Sequence, residues 1–337
     1  MSGKLSLLKA RVKAFPIEGA YRSLAFVSRA FPKARGLERG LTITRNVSYG
    51  ALPENRLDVY QPDASVFPPG PAGWPALLYV HGGAFRILSK DTHWLLAALL
   101  ASRGYCVFNI DYRLAPMTRF PGAIEDACAA YAWVCDNAAR YRADVQRLVV
   151  AGESAGANLI FGATIAAAYP RSEPFATRVF ERGIVPKVAL PACGLFQVSD
   201  SARFRRRKPH LPPYMSDLVG AAERDYLLPG AIASGVNLDF ADPVSFLERG
   251  EAPSRPLPAT FLPVGTRDPV LDDTRRMGKA LDALGAPCVV RYYPGEVHAF
   301  HALLFREQAR ECWKHTFEFL REHLPGAPPP PPQAPRP

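Results

Sequence analysis

Ser154 lies between two glycines in the stretch Gly152-Glu153-Ser154-Ala155-Gly156. An apolar run, Leu148 to Ala151, precedes it, and an Ala-rich stretch from Asn158 to Tyr169 follows. The first predicts a short buried strand and the second a helix. Glycines at this junction permit a turn too tight for flanking side chains, and such a turn lifts a serine hydroxyl clear of the sheet edge. The helix N-terminus behind it points backbone N–H groups at any negative charge that develops there. A pattern this short also recurs by chance, so the weight falls on what the rest of the chain supplies.

A serine hydroxyl is a poor nucleophile unless a base takes its proton and a third group orients that base. In an α/β sheet such partners sit on loops beyond the carboxyl ends of later strands. His298 follows the strand-like Cys288–Tyr293, within Pro294-Gly295-Glu296-Val297-His298-Ala299-Phe300. His301, three positions on, is a competitor. Asp268 follows the strand-like Thr260–Val264 as an orienter, with Asp272 and Asp273 as rivals. Those two also read as acids in the first turn of the next helix, which needs no catalytic reason. His81-Gly82-Gly83-Ala84-Phe85 directly follows the apolar ALLYV strand. Paired glycines there let main-chain N–H groups come close to an oxyanion.

The elements that would position these groups alternate along the chain. Strands are expected near Leu41–Val47, Leu57–Tyr60, Ala76–Val80, Tyr105–Ile110, Arg147–Ala151, Val188–Pro191, Thr260–Val264 and Cys288–Tyr293. Helices are expected near Thr92–Ser102, Ala123–Ala139, after Ser154, at Asp272–Leu284 and at Leu303–Leu324. Residues 1–40 read as short amphipathic helices broken near Pro16 and Pro32, and residues 195–251 as a proline- and charge-rich insertion. Alternating strands and helices imply an α/β fold, a mostly parallel sheet covered on both faces, with the first two of eight strands a hairpin. Residues 41–194 and 252–324 would be its two core parts. Residues 325–337, with the run Pro328–Pro332, read as a disordered polyproline extension.

With 337 residues the chain can bury a large core. No apolar run reaches the ~18 residues that span a bilayer, and the basic N-terminus lacks the apolar core of a secretory signal. Six scattered cysteines without C-x-x-C read as reduced thiols of a cytosolic protein. The net charge of +10 is uneven. Ten cations stand against Glu18 and Glu38 through Arg45, and a second cluster runs Arg203, Arg205, Arg206, Arg207, Lys208. The plain reading is a solvated basic face; the sharper one is peripheral contact with an anionic membrane. No nucleic-acid-binding motif accompanies the charge, and no histidine group has metal-ligand spacing, so neither a metal nor an organic cofactor is expected.

Taken together, HGGAF, Asp111-Tyr112-Arg113-Leu114-Ala115-Pro116, GESAG, Asp268-Pro269 and GEVHAF resemble the hormone-sensitive-lipase-like esterases of the α/β-hydrolase fold. The resemblance runs from about Leu57 to the final helix. It implies Ser154 as nucleophile, His298 as base and Asp268 as its orienter. The oxyanion hole would be the backbone of Gly82, Gly83 and Ala84 with the N–H of Ala155, and His81 would brace that loop. It also implies a helical cap built from residues 1–40 and the later insertion. Ala84 departs from the family's third glycine, which bears on the backbone angles and the width of the acyl pocket.

The activity so implied is hydrolysis of small-molecule carboxylic esters through an acyl-serine. An amidase or deacetylase would use the same residues. A non-catalytic small-molecule receptor is the reading from another class, and the presence of Ser154, Asp268 and His298 together argues against it.

Overall fold

The stretch Trp74–Val80 carries no polar alternation, and every residue in it is buried. A strand of that kind belongs at the centre of a sheet covered on both faces. In the computed structural model, which describes Gly19 and residues 36–207 and 213–330, it forms β3 of an eight-stranded sheet. The other strands are β1 (Thr42–Ser48), β2 (Arg56–Gln61), β4 (Cys106–Ile110), β5 (Ala143–Glu153), β6 (Val188–Ala192), β7 (Ala259–Gly265) and β8 (Cys288–Tyr293). Their spatial order is β1-β2-β4-β3-β5-β6-β7-β8. The first two form an antiparallel pair and β2 also runs antiparallel to β4; every later pairing is parallel. The expected mostly parallel sheet with a leading hairpin is therefore present.

Side-chain alternation along β3 divides the core. Ala76, Leu78 and Val80 share one cluster with α2 (Gly122–Asn137) and α3 (Ala155–Ala168). Leu77 and Tyr79 face a second cluster with α1 (Trp94–Ala101) and α9 (Glu307–His323). Helix α3 is buried all round, which its Ala-rich, unstriped sequence anticipates. Helix α4 (Pro174–Phe180) opens on a proline at its first position and packs beside α2 and α3. Helix α8 (Leu271–Ala283) instead carries one apolar stripe and buries Leu271, Met277 and Leu281.

The insertion after β6 contains α5 (Ala202–Arg207), α6 (Pro213–Tyr226) and α7 (Pro243–Leu247). It is fastened to the core by polar contacts as well as by packing. The Asn158 amide on α3 donates to the carbonyls of Leu195 and Ala241, both at 2.8 Å. The Arg119 guanidinium donates to the carbonyls of Arg224, Asp225 and Leu227 at the end of α6.

Two expectations change here. Arg203, grouped with a solvated basic face, is buried: its guanidinium meets the carboxylate of Asp273 at 2.6 Å. Asp273, expected as a helix-start acid, is indeed in the first turn of α8 but is fully buried. Arg205 and Arg206 are exposed, Arg206 beside Asp200, and Lys208 lies outside the described residues. Pro325–Pro330, expected as the start of a disordered tail, is seated on the molecule. Arg147 donates to the Gly326 carbonyl at 2.9 Å, and Pro328–Pro330 line a cleft with Arg103, Tyr105, Phe317 and Arg321. Stiff prolines lose little entropy on packing against aromatic rings. Residues 331–337, and the expected N-terminal helices before residue 36 apart from Gly19, lie outside the described residues.

Candidate active site

Five adjacent parallel strands end on one edge of the sheet, and each hands a chemical group to it. Strand β3 leads into His81–Ala84, β5 into Ser154, β6 into Cys193, β7 into Asp268 and β8 into His298. Ser154 sits at the junction of β5 and α3 with φ 53° and ψ −113°, a conformation costly for a residue with a Cβ. Three main-chain bonds hold it there. Its N–H donates to Ala192, and its carbonyl accepts from Asn158 and Leu195. A Cβ on Gly156 would run into the carbonyls of Val80 and His81. The glycine is therefore required by the approach of β3 to the turn.

The imidazole of His298 lies with Nδ1 at 3.0 Å from both oxygens of Asp268. Asp268 is fully buried, and its Oδ1 also accepts from the N–H of Val270 at 2.9 Å. The two loops are joined main chain to main chain: Arg267 donates to the Glu296 carbonyl and Thr266 to that of Tyr293. Desolvation disfavours the His298 imidazolium, but Asp268 first and then Cys193 outweigh it and hold its pKa well above the ordinary value. A base so placed can accept a proton at Nε2 only when neutral.

His301 and Asp272, the rivals, stand elsewhere. His301 is buried with Nε2 at 3.0 Å from Glu153, and Asp272 pairs with Arg275 on the first turn of α8. Sequence reasoning missed Glu153. Its buried carboxylate lies between His301 and the Nε2 of His93, which donates to it at 2.9 Å. Burial alone would raise its pKa, yet His93 and His301 hold it well below the usual carboxylate value. Burial opposes the His301 imidazolium, yet hydrogen bonds to Cys193 and Glu153 and the Glu153 charge raise its pKa to about 10. A carboxylate closing an otherwise apolar strand was the available signal, because it must find a partner once buried.

Cys193, read from sequence as one more buried thiol, is the other omission. It follows β6 with φ 39°, and its N–H donates to the Pro263 carbonyl on β7. Its Sγ lies within 4.8 Å of a ring nitrogen of His298 and a carboxylate oxygen of Asp268. Burial disfavours the thiolate, but the His298 charge leads the effects that hold the thiol below its ordinary value.

The loop after β3 turns through three left-handed residues, Gly83 (φ 109°), Ala84 (φ 52°) and Phe85 (φ 62°). Ala84 thus adopts a glycine-like backbone although it carries a Cβ. His81 is buried, and desolvation leads the causes that drop its pKa to about 3, so it is neutral. It stacks on Tyr112 with ring centroids 4.3 Å apart, and the Tyr112 hydroxyl donates to the His81 carbonyl at 3.1 Å. The far side of this loop meets α6. Phe85 stacks on Tyr226 at 3.9 Å, and Arg86 pairs with Asp225 at 2.7 Å. Ala155 opens α3, where the first N–H groups have no intrahelical partner.

Residues 77–302, more than half of the chain, match the family model described as the alpha/beta hydrolase fold. Among solved structures, the chain is similar to a bacterial heroin esterase at 21% identity. That match covers 92% of this chain and 91% of the other, with a TM-score of 0.75. Esterase LipW from Mycobacterium marinum matches at 23% identity over 92% and 90% of the two chains, TM-score 0.71. EstE1, a thermophilic and thermostable carboxylesterase cloned from a metagenomic library, matches at 25% identity over 90% and 98%, TM-score 0.65.

Proposed function

The chain belongs to the α/β-hydrolase fold family, and from that membership and the geometry of its sheet edge we propose that it is a serine carboxylesterase. The hormone-sensitive-lipase-like resemblance of its motifs falls within that family. The observation that carries the reading is the His298 imidazole held by both oxygens of buried Asp268, on the same edge as the strained Ser154 turn.

In this reading Asp268 keeps the proton of His298 on Nδ1 and leaves the Nε2 lone pair for the Ser154 hydroxyl. The serine oxygen bonds to the ester carbonyl carbon while its proton passes to Nε2. The N–H groups of Gly82, Gly83, Ala84 and Ala155 receive the resulting oxyanion. Collapse breaks the carbon–alkoxy bond, and the imidazolium returns the proton to the departing alcohol. Water, deprotonated by the same nitrogen, then releases the acid and regenerates Ser154. His81 is neutral and braced by Tyr112, so its part is to hold the oxyanion loop.

Chromogenic esters of graded chain length test the proposal. Ser154→Ala and His298→Ala are expected to lower kcat by about 10⁴–10⁶, with Asp268→Asn costing somewhat less and the losses not adding. Asp272→Asn, whose partner is Arg275, should change the rate less than about tenfold. A Ser154→Ala protein that hydrolyses the panel like the parent ends the serine-hydrolase reading.

A further inference from the structure

The catalytic reading leaves Cys193 without a task, although it is buried beside Asp268 and His298. Strands β6, β7 and β8 are neighbours, so their ends bring Cys193, Asp268 and His298 together from widely separated parts of the chain. The Sγ of Cys193, a carboxylate oxygen of Asp268 and a ring nitrogen of His298 all lie within 4.8 Å of one another. We propose that Cys193 Sγ, the Asp268 carboxylate and His298 Nδ1 form an inhibitory binding site for a thiophilic divalent cation of the zinc type.

The donor set selects the class of ion. One sulfur, one imidazole and one carboxylate suit Zn²⁺, Co²⁺ or Cd²⁺, whereas Mg²⁺ and Ca²⁺ require more oxygen ligands. Ligands of tetrahedral zinc lie roughly 3.2–3.7 Å apart, given bonds of about 2.0–2.3 Å. Nδ1 and the Asp268 oxygens stand at 3.0 Å, so they must part by only a few tenths of an ångström while the thiol closes in. Asp268 and Cys193 are buried, but the His298 side chain is 24% exposed. The cation would enter past the imidazole edge, with water as its fourth ligand. Binding requires the thiolate.

The consequence for catalysis rests on the esterase reading; the binding itself does not. A cation on Nδ1 takes the position of the proton that faces Asp268, and the imidazole then carries its proton on Nε2. The lone pair that must accept the Ser154 proton is gone, and Asp268 no longer orients the ring. Each ion bound displaces the thiol proton where Cys193 starts protonated, and the Nδ1 proton where His298 starts as an imidazolium, so acid opposes binding.

The experiment uses the full chain with Co²⁺ and Zn²⁺ alone as probes. Co²⁺ is expected to give a near-ultraviolet thiolate-to-metal charge-transfer band that Cys193→Ala lacks. Zn²⁺ should displace it, stop ester hydrolysis, and be reversed by a chelator. Cys193→Ala should need at least about tenfold more Zn²⁺ for half-inhibition of its own uninhibited rate, a loss that even removal of an outer-shell partner can cause. Cys193→Ser, close in size, provides the same comparison if the alanine variant fails to fold. The proposal is overturned if the parent shows no charge-transfer band, or if the cysteine variants bind and respond like the parent. A Cys193-dependent band in a protein that hydrolyses no ester keeps the metal site and removes the esterase reading.

Discussion

Glu153→Gln tests whether the buried network behind Ser154 is ionic. The carboxylate lies 2.9 Å from His93 and 3.0 Å from His301, with all three side chains nearly inaccessible to solvent. Glutamine keeps the shape and one acceptor oxygen but removes the charge. Removing one partner of a buried ion pair costs about 3–5 kcal/mol, because the other charge is left without compensation. The His301 imidazole gives an independent measure. Its rise from 6.5 to about 10 corresponds to roughly 5 kcal/mol, and Cys193 supplies part of it. Both routes place the loss near ~3–4 kcal/mol at neutral pH. A folded-state pKa raised above the unfolded value stabilises fully below 6.5, and that stabilisation is lost as pH rises through about 10. Denaturant unfolding of parent and variant should therefore show a wide gap at pH ~7 that narrows by pH ~11. A gap below ~1 kcal/mol at neutral pH, or one constant across that range, would refute the ionic account.

Because Asp268 and Cys193 hold the His298 imidazolium above its ordinary 6.5, kcat/KM should rise with pH along a limb lying alkaline of that value; a limb at or below it would remove His298 as the base. Asp273→Asn should lower unfolding free energy by about 3 kcal/mol or more, since the carboxylate carries Arg203 and the N–H groups of Phe196 and Gln197. Asp272→Asn, one residue away and paired with the half-exposed Arg275 at 3.3 Å, should cost less than Asp273→Asn in the same denaturation assay.

The readable part of this chain was the part whose physical cause is local. Strand β3 announces itself because a segment buried on both faces reads as an unbroken apolar run. Gly152 and Gly156 announce the Ser154 turn because nothing larger fits beside Val80. Helix α4 was not anticipated, since seven residues starting at Pro174 are too few to display a period. The first half of β5 was missed for a related reason. Asp144 and Gln146 look like loop residues, and it is the pairing of Ala143 and Asp144 with Trp74 and Pro75 that extends the strand through them.

What sequence could not supply was the pairing of charges brought together by the sheet. Arg203 sits in a basic run, and every neighbour in sequence recommends it to solvent; its partner Asp273 comes from α8, 70 positions away. His298 and His301 looked interchangeable because they are three residues apart and equally basic. The short helical turn Phe300–Ala302 between β8 and α9 separates them, so that one imidazole meets Asp268 and the other meets Glu153. Cys193 Sγ lies beside the first of them, within 4.8 Å of a His298 ring nitrogen. Two carboxylate–histidine groups thus stand at this edge, Glu153 with His93 and His301, and Asp268 with His298 and the nearby Cys193. Their members come from loops and strand ends all around the Ser154 edge. A charge altered at Asp268 or Cys193 is felt at His298, and one altered at Glu153 is felt at His301. Burial makes that coupling strong, because a charge in a low-dielectric setting is screened less than one at the surface. Which histidine meets Asp268 is therefore a property of the sheet order, which sets each imidazole beside a different carboxylate.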